Sequence, residues 1–121
     1  MVVAGCANTR EPPGGNFRKI SELVRFPGFY PDLGTLYGQP DTLPEGALFY
    51  GYDWQGRWVD TVYMLPIRLL DAHAMLDALQ RTRRLVDHVD VHYTDGHPGV
   101  AEPHYHIILW YVSPEEATKV Q

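Results

Sequence analysis

DHVDVHYTDGHPGVAEPHYHIILWYV, residues Asp87 to Val112, holds five of the chain's six histidines and reads as two strands joined by a Gly/Pro-containing loop. Side chains along a strand alternate faces with period two. On the first strand Val89, Val91 and Tyr93 share one face, and His88, Asp90 and His92 share the other. On the second, Tyr105, Ile107, Leu109 and Tyr111 form an apolar face, and His104 and His106 point the opposite way. Pairing the two as a hairpin predicts the apolar sets on the core side and the imidazoles gathered on the other. Ile108, Trp110 and Val112 continue the histidine side, so that side also requires a cover.

Working upstream, Ala47 to Tyr52 and Arg57 to Leu65 read as a strand pair with Asp53-Trp54-Gln55-Gly56 as the turn. Pro66 suits the first turn of a helix, and Leu69, Ala72, Leu76 and Leu79 follow as a helical stripe containing His73. The order strand, strand, helix, strand, strand predicts an α+β domain. Its mostly antiparallel sheet has about four strands, with one main helix across one face. Phe17, Ile20, Leu23 and Val24 have helical spacing, ended by Pro27-Gly28. The segment from Pro27 to Gly46 carries four prolines and four glycines together with Phe29, Tyr30, Leu33, Leu36, Tyr37 and Leu43. So many large apolar groups predict a wrap over the domain or a contact with another subunit. Phe29, Tyr30, Tyr37 and Trp110 are the expected interface residues of a homo-oligomer. At the other end, Ser113-Pro114-Glu115-Glu116 has the form of a helix start: Ser as N-cap, Pro first, Glu third.

At 121 residues the chain fits one domain, here expected over 17–121. A formal charge of -5 argues against a nucleic-acid partner, which would require a basic face. The cations that do cluster, Arg81, Arg83 and Arg84, suit the C-terminal end of the helix. Residues Val3 to Cys6 read Val-Ala-Gly-Cys, like the end of a bacterial lipoprotein signal in which the cysteine is lipidated. With the polar Pro/Gly tether that follows, residues 1–16 are expected to be a residual export signal and tether. The expected location is the cell envelope or periplasm, lipid-anchored through Cys6, with the cytoplasm as the alternative.

Imidazoles suit divalent Zn, Cu or Ni, and a site needs three or four of them converging. His92, His104 and His106 are the candidate ligands on strand alternation, with His88 and the loop histidine His97 as possible additions. Gly96 and Gly99 would let His97 fold back. The competing reading is a half-exposed polar sheet face. No G-x-S-x-G occurs, and nothing in the sequence supports a Ser or Cys nucleophile.

Asp87-His88-Val89, Gly96-His97-Pro98-Gly99-Val100 and Pro103-His104-Tyr105 together resemble a family of small exported bacterial proteins without an assigned activity. That family carries D-H-V, then G-H-x-P, then P-H-F-D-F-H-F-Y. The resemblance covers roughly residues 46–113 and implies an envelope protein forming a closed homo-oligomer of about ten subunits. Its matched histidines are His88, His97 and His104; His106 falls where the family has aspartate, and Ile108 where it has the second histidine. His104-Tyr105-His106 is also similar to the first metal motif of cupin barrels, but Ile107 to Tyr111 lack the glutamate that follows it there, so only the ligating pair carries over. Two functions remain: an oligomeric, non-enzymatic envelope protein binding a metal or small ligand in a stress response, and a small metal-dependent enzyme. The sequence favours the first.

Overall fold

The computed structural model describes residues 13–25, 27–40, 48–73, 84–97 and 100–121. Its organising element is one antiparallel sheet of six strands: β1 (Arg18–Lys19), β2 (Thr35–Gly38), β3 (Leu48–Tyr52), β4 (Trp58–Pro66), β5 (His88–Thr94) and β6 (His104–Trp110). The strands lie in the order β1-β2-β3-β4-β6-β5. Helix is confined, among the described residues, to α1 (Ile20–Leu23), α2 (Ile67–Asp71) and α3 (Pro114–Ala117). The protein is therefore predominantly β, and the α+β expectation of four strands and a main helix is corrected. The two additional strands come from segments whose spacing and breaker residues predict a short helix and a loop. Thr35 to Gly38 pairs residue for residue with Tyr52 to Phe49, and Arg18–Lys19 pairs with Gly38 and Tyr37. Tertiary pairing there outweighs helical spacing and the breaker residues. Leu76, Leu79, Arg81 and Arg83 of the expected helix, and the expected lipidation residue Cys6, lie outside the described residues.

The register fixes which side chains share a face. One face carries Leu36, then Phe49 and Gly51, then Asp60, Val62 and Met64, then His106, Ile108 and Trp110, then His88, Asp90 and His92. Its centre is the core: Leu36, Phe49, Val62, Met64, Ile108 and Trp110 are all buried, together with Leu33 and Ile20. Each such side chain contributes about 1.5–3 kcal/mol by leaving water. Phe29 and Tyr30 pack against this cluster from the Pro/Gly-rich segment, as do Val112 and Ala117 from the C-terminal end. At the chain's end Ser113 Oγ accepts from the Glu116 N–H at 3.1 Å, capping α3 and holding Val120 in the core.

This arrangement reverses the expected facing of the hairpin. The imidazole side is the core side, while Val89, Val91 and Tyr93 are 50%, 59% and 52% exposed. Period-two alternation assigns residues to faces but not faces to the core. Ile108 and Trp110 decide it: both are buried, and Ile108 pairs directly with the buried Val62. Among the described residues the opposite face is covered over β2 to β4, by an aromatic cluster of Tyr37, Tyr52 and Trp58 with Phe17, Tyr50 and Tyr111. Strands β3 and β4 meet at a bulge: Gly51 pairs with Asp60 and Tyr52 with Trp58, leaving Val59 unpaired. The extra residue turns Val59 and Asp60 toward the same core.

Candidate metal centre

His104 and His106 stand two residues apart on β6, so strand alternation alone aims both at the same face. His97 reaches them from the β5–β6 loop. There His97 and Val100 exchange backbone bonds, N–H to carbonyl, at 2.9 Å in both directions. The loop enters this turn through Gly96, whose φ is 141° and where a Cβ would lie 2.5 Å from the Ala101 carbonyl oxygen. Only glycine fits there. Thr94 Oγ1 accepts from the Gly96 N–H at 3.1 Å and closes the approach.

The three rings meet through their Nε2 atoms. His104 Nε2 lies 3.0 Å from His97 Nε2 and 3.0 Å from His106 Nε2, and the three candidate ligand atoms lie within 4.8 Å of one another. His104 is completely buried, and its partners are half-buried. His104 Nδ1 sits 2.7 Å from the Glu102 carbonyl oxygen. A carbonyl can only accept, so Nδ1 carries the hydrogen and the His104 Nε2 lone pair is aimed at the cluster. That is the outer-partner arrangement that orients metal-binding imidazoles. In a tetrahedral Zn site with Zn–N near 2.05 Å, neighbouring ligand nitrogens stand ~3.3 Å apart, so the two 3.0 Å pairs need to open by a few tenths of an ångström while His97 and His106, in a set spanning 4.8 Å, swing closer together around the ion.

Burial holds His106 well below the ordinary histidine range, at about 4, and its neighbours His104, His97 and His92 push the same way. At neutral pH it is therefore the uncharged imidazole that metals require.

The other predicted residues are placed differently. His92 pairs in register with His106 on the same face but is exposed, so it stands at the rim of the cluster. His88 is at the far end of β5, with Nδ1 2.8 Å from Asp87 Oδ1 and its ring stacked on Trp110 at 5.9 Å. The family-matched set His88, His97 and His104 is thus not brought together. Tyr37 and Trp110, expected at an interface, are buried by the chain itself. Tyr37 packs edge-on to Tyr52, and Trp110 Nε1 donates to Asp90 Oδ2 at 2.9 Å. Phe29 stacks on Trp54 with ring centres 3.8 Å apart, and Tyr30 packs on the core. Among the described residues the exposed large apolar groups include a contiguous β5 row of Val89, Val91 and Tyr93, with Leu85 and Val86 just before it and Trp54 and Leu70 elsewhere.

Sequence reasoning missed three polar features. The Glu102 carbonyl is invisible to any side-chain motif. Asp90 shares the histidine face, pairs in register with Ile108 and accepts diagonally from Trp110 Nε1, a partner that alternation alone does not reveal. Asp60 sits in the middle of a strand, fully buried, with neither carboxylate oxygen hydrogen-bonded. Burial raises its pKa well above the ordinary carboxyl value, favouring the neutral acid.

No family model matches the chain, and no curated protein matches it. Among solved structures it is similar to the crystal structure of a hypothetical protein, TTHB210, from Thermus thermophilus. The two are 42% identical, the match covers 85% of this chain and 95% of that one, and the TM-score is 0.62. At that identity and coverage, this histidine-bearing six-stranded chain belongs to the same family as the Thermus thermophilus protein.

Proposed function

We propose that this chain is a transition-metal-binding protein of the bacterial envelope, acting by binding rather than by catalysis and working as a homo-oligomer. The observation that carries the metal reading is the convergence of three imidazole Nε2 atoms from two separate elements, one of them oriented by a backbone carbonyl. Unliganded, the single lone pair on His104 Nε2 accepts one N–H, from His97 or from His106. With an ion between the three nitrogens, all three lone pairs are used. Divalent Zn is the reference ion for such a set. The envelope assignment rests on the Val-Ala-Gly-Cys run and its tether, and on the resemblance to the exported family. The oligomer rests on the exposed apolar row of β5, which is the edge strand of the sheet among the described residues.

A metal-dependent enzyme is the second reading, favoured by one observation: His97 and His106 are only half-buried, which leaves an ion there open to water on one side.

Calorimetric titration of metal-stripped protein with Zn, Cu(II) and Ni tests the metal reading. Saturable uptake of one ion per chain is expected, and a folded His104→Ala, His106→Ala double variant should lose it. No stoichiometric uptake by the wild type would sink the reading.

A further inference from the structure

We infer that the ion best matched to this cluster is monovalent copper, with the thioether of Met64 as the fourth donor; the inference rests on the metal reading above. Met64 pairs directly with His106 in the β4–β6 register. The two side chains therefore rise from neighbouring strands on the same face, with Cβ atoms about 4.5–5.5 Å apart. Met64 is 1% exposed, and His104, two pairs further along, is fully buried. A buried thioether side chain and the strand imidazoles thus share one face of the sheet.

The charge of the set points the same way. The group of converging ligands contains three imidazoles and no carboxylate among the described residues. A neutral cage leaves the full charge of the ion uncompensated. The cost of placing a charge in a low-dielectric interior scales with its square, so a divalent ion costs about four times as much as a monovalent one. A divalent ion would have to bring its own hydroxide or another anion; a monovalent one needs none. Thioether sulfur is a soft donor that selects Cu(I) and contributes little to Zn. Filling space does not require sulfur here. The neighbouring core residues are Val62 and Ile108, and leucine has nearly the volume of methionine.

The test uses the stripped full-length protein carrying Cys6→Ser, so that the chain's one thiol cannot supply the sulfur. Cu(I) is delivered without oxygen from a chromophoric chelator of known affinity, and Zn is titrated separately. Adding Met64→Leu should weaken Cu(I) binding by about ten-fold or more while moving Zn affinity less than about two-fold, since losing a ligand costs at least what losing an outer partner does. X-ray absorption of the Cu(I)-loaded Cys6→Ser protein should show one sulfur neighbour beside the imidazoles. That spectrum decides the matter even if Met64→Leu fails to fold. Saturable Zn binding with a Cu(I) spectrum lacking sulfur overturns the copper inference and leaves the three-imidazole site standing. Binding of neither metal overturns both.

Discussion

Two ionisable groups, the half-buried His106 and the buried Asp60, give this protein opposing responses to pH. His106 has its folded-state pKa lowered to about 4 from the ordinary value of 6.5. Between those values the unfolded chain binds more protons, so His106 makes stability fall as pH drops from 6.5 toward 4. Asp60 acts in the other sense. Its folded pKa is raised above the ordinary carboxyl value of 3.8, so the folded chain holds the extra proton. Stability from Asp60 is therefore greatest below that value and declines as pH rises toward the raised one. Urea unfolding across pH, without metal, should show His106→Gln removing the acid-side loss and Asp60→Asn removing the decline on the rising side. An unchanged profile in either variant would refute its assignment. Asp60 also explains a glycine: a Cβ at Gly51 would overlap Asp60 Oδ1 and crowd the Leu33 carbonyl.

The loop between β5 and β6 is the element that makes three histidines into a site. β6 supplies two by alternation, and that much was legible in the sequence. The return of His97 was legible only as an allowance, because Gly96 permits the conformation without dictating it. Gly96→Ala should therefore destabilise the protein by about 1–3 kcal/mol, through an L residue at positive φ against the Ala101 carbonyl. It should also weaken Zn binding while leaving His104 and His106 on their strand. A variant with wild-type stability and affinity would show that the loop does not position His97. The strand pairs β3–β4 and β5–β6 were legible from alternation and turn residues. β1 and β2 were not, since strands of two and four residues are too short to carry a period-two signal. The choice of core face was missed for a different reason. Both faces of β6 are apolar, and the deciding cover comes from Leu33, Phe29 and Val120, far away in sequence.

At the scale of the molecule, one sheet face is filled and the other, among the described residues, is covered over β2 to β4 and exposed along β5. An apolar row on an edge strand is the surface through which a second copy would close the sheet. In the source cell the chain should fractionate with membranes, carry lipid on Cys6 and, after mild detergent extraction, run as a multiple of 13.8 kDa. An unmodified soluble monomer would contradict both the envelope and the oligomer proposals. The central claim, that His97, His104 and His106 bind one ion together, has a more direct test. Crystals of the Zn-loaded protein, measured at the zinc absorption edge, should show one anomalous peak per chain. It should lie ~2.0–2.1 Å from all three Nε2 atoms. A peak at His88 or at the exposed His92 instead, or none at all with the three nitrogens still in direct contact, would contradict the account.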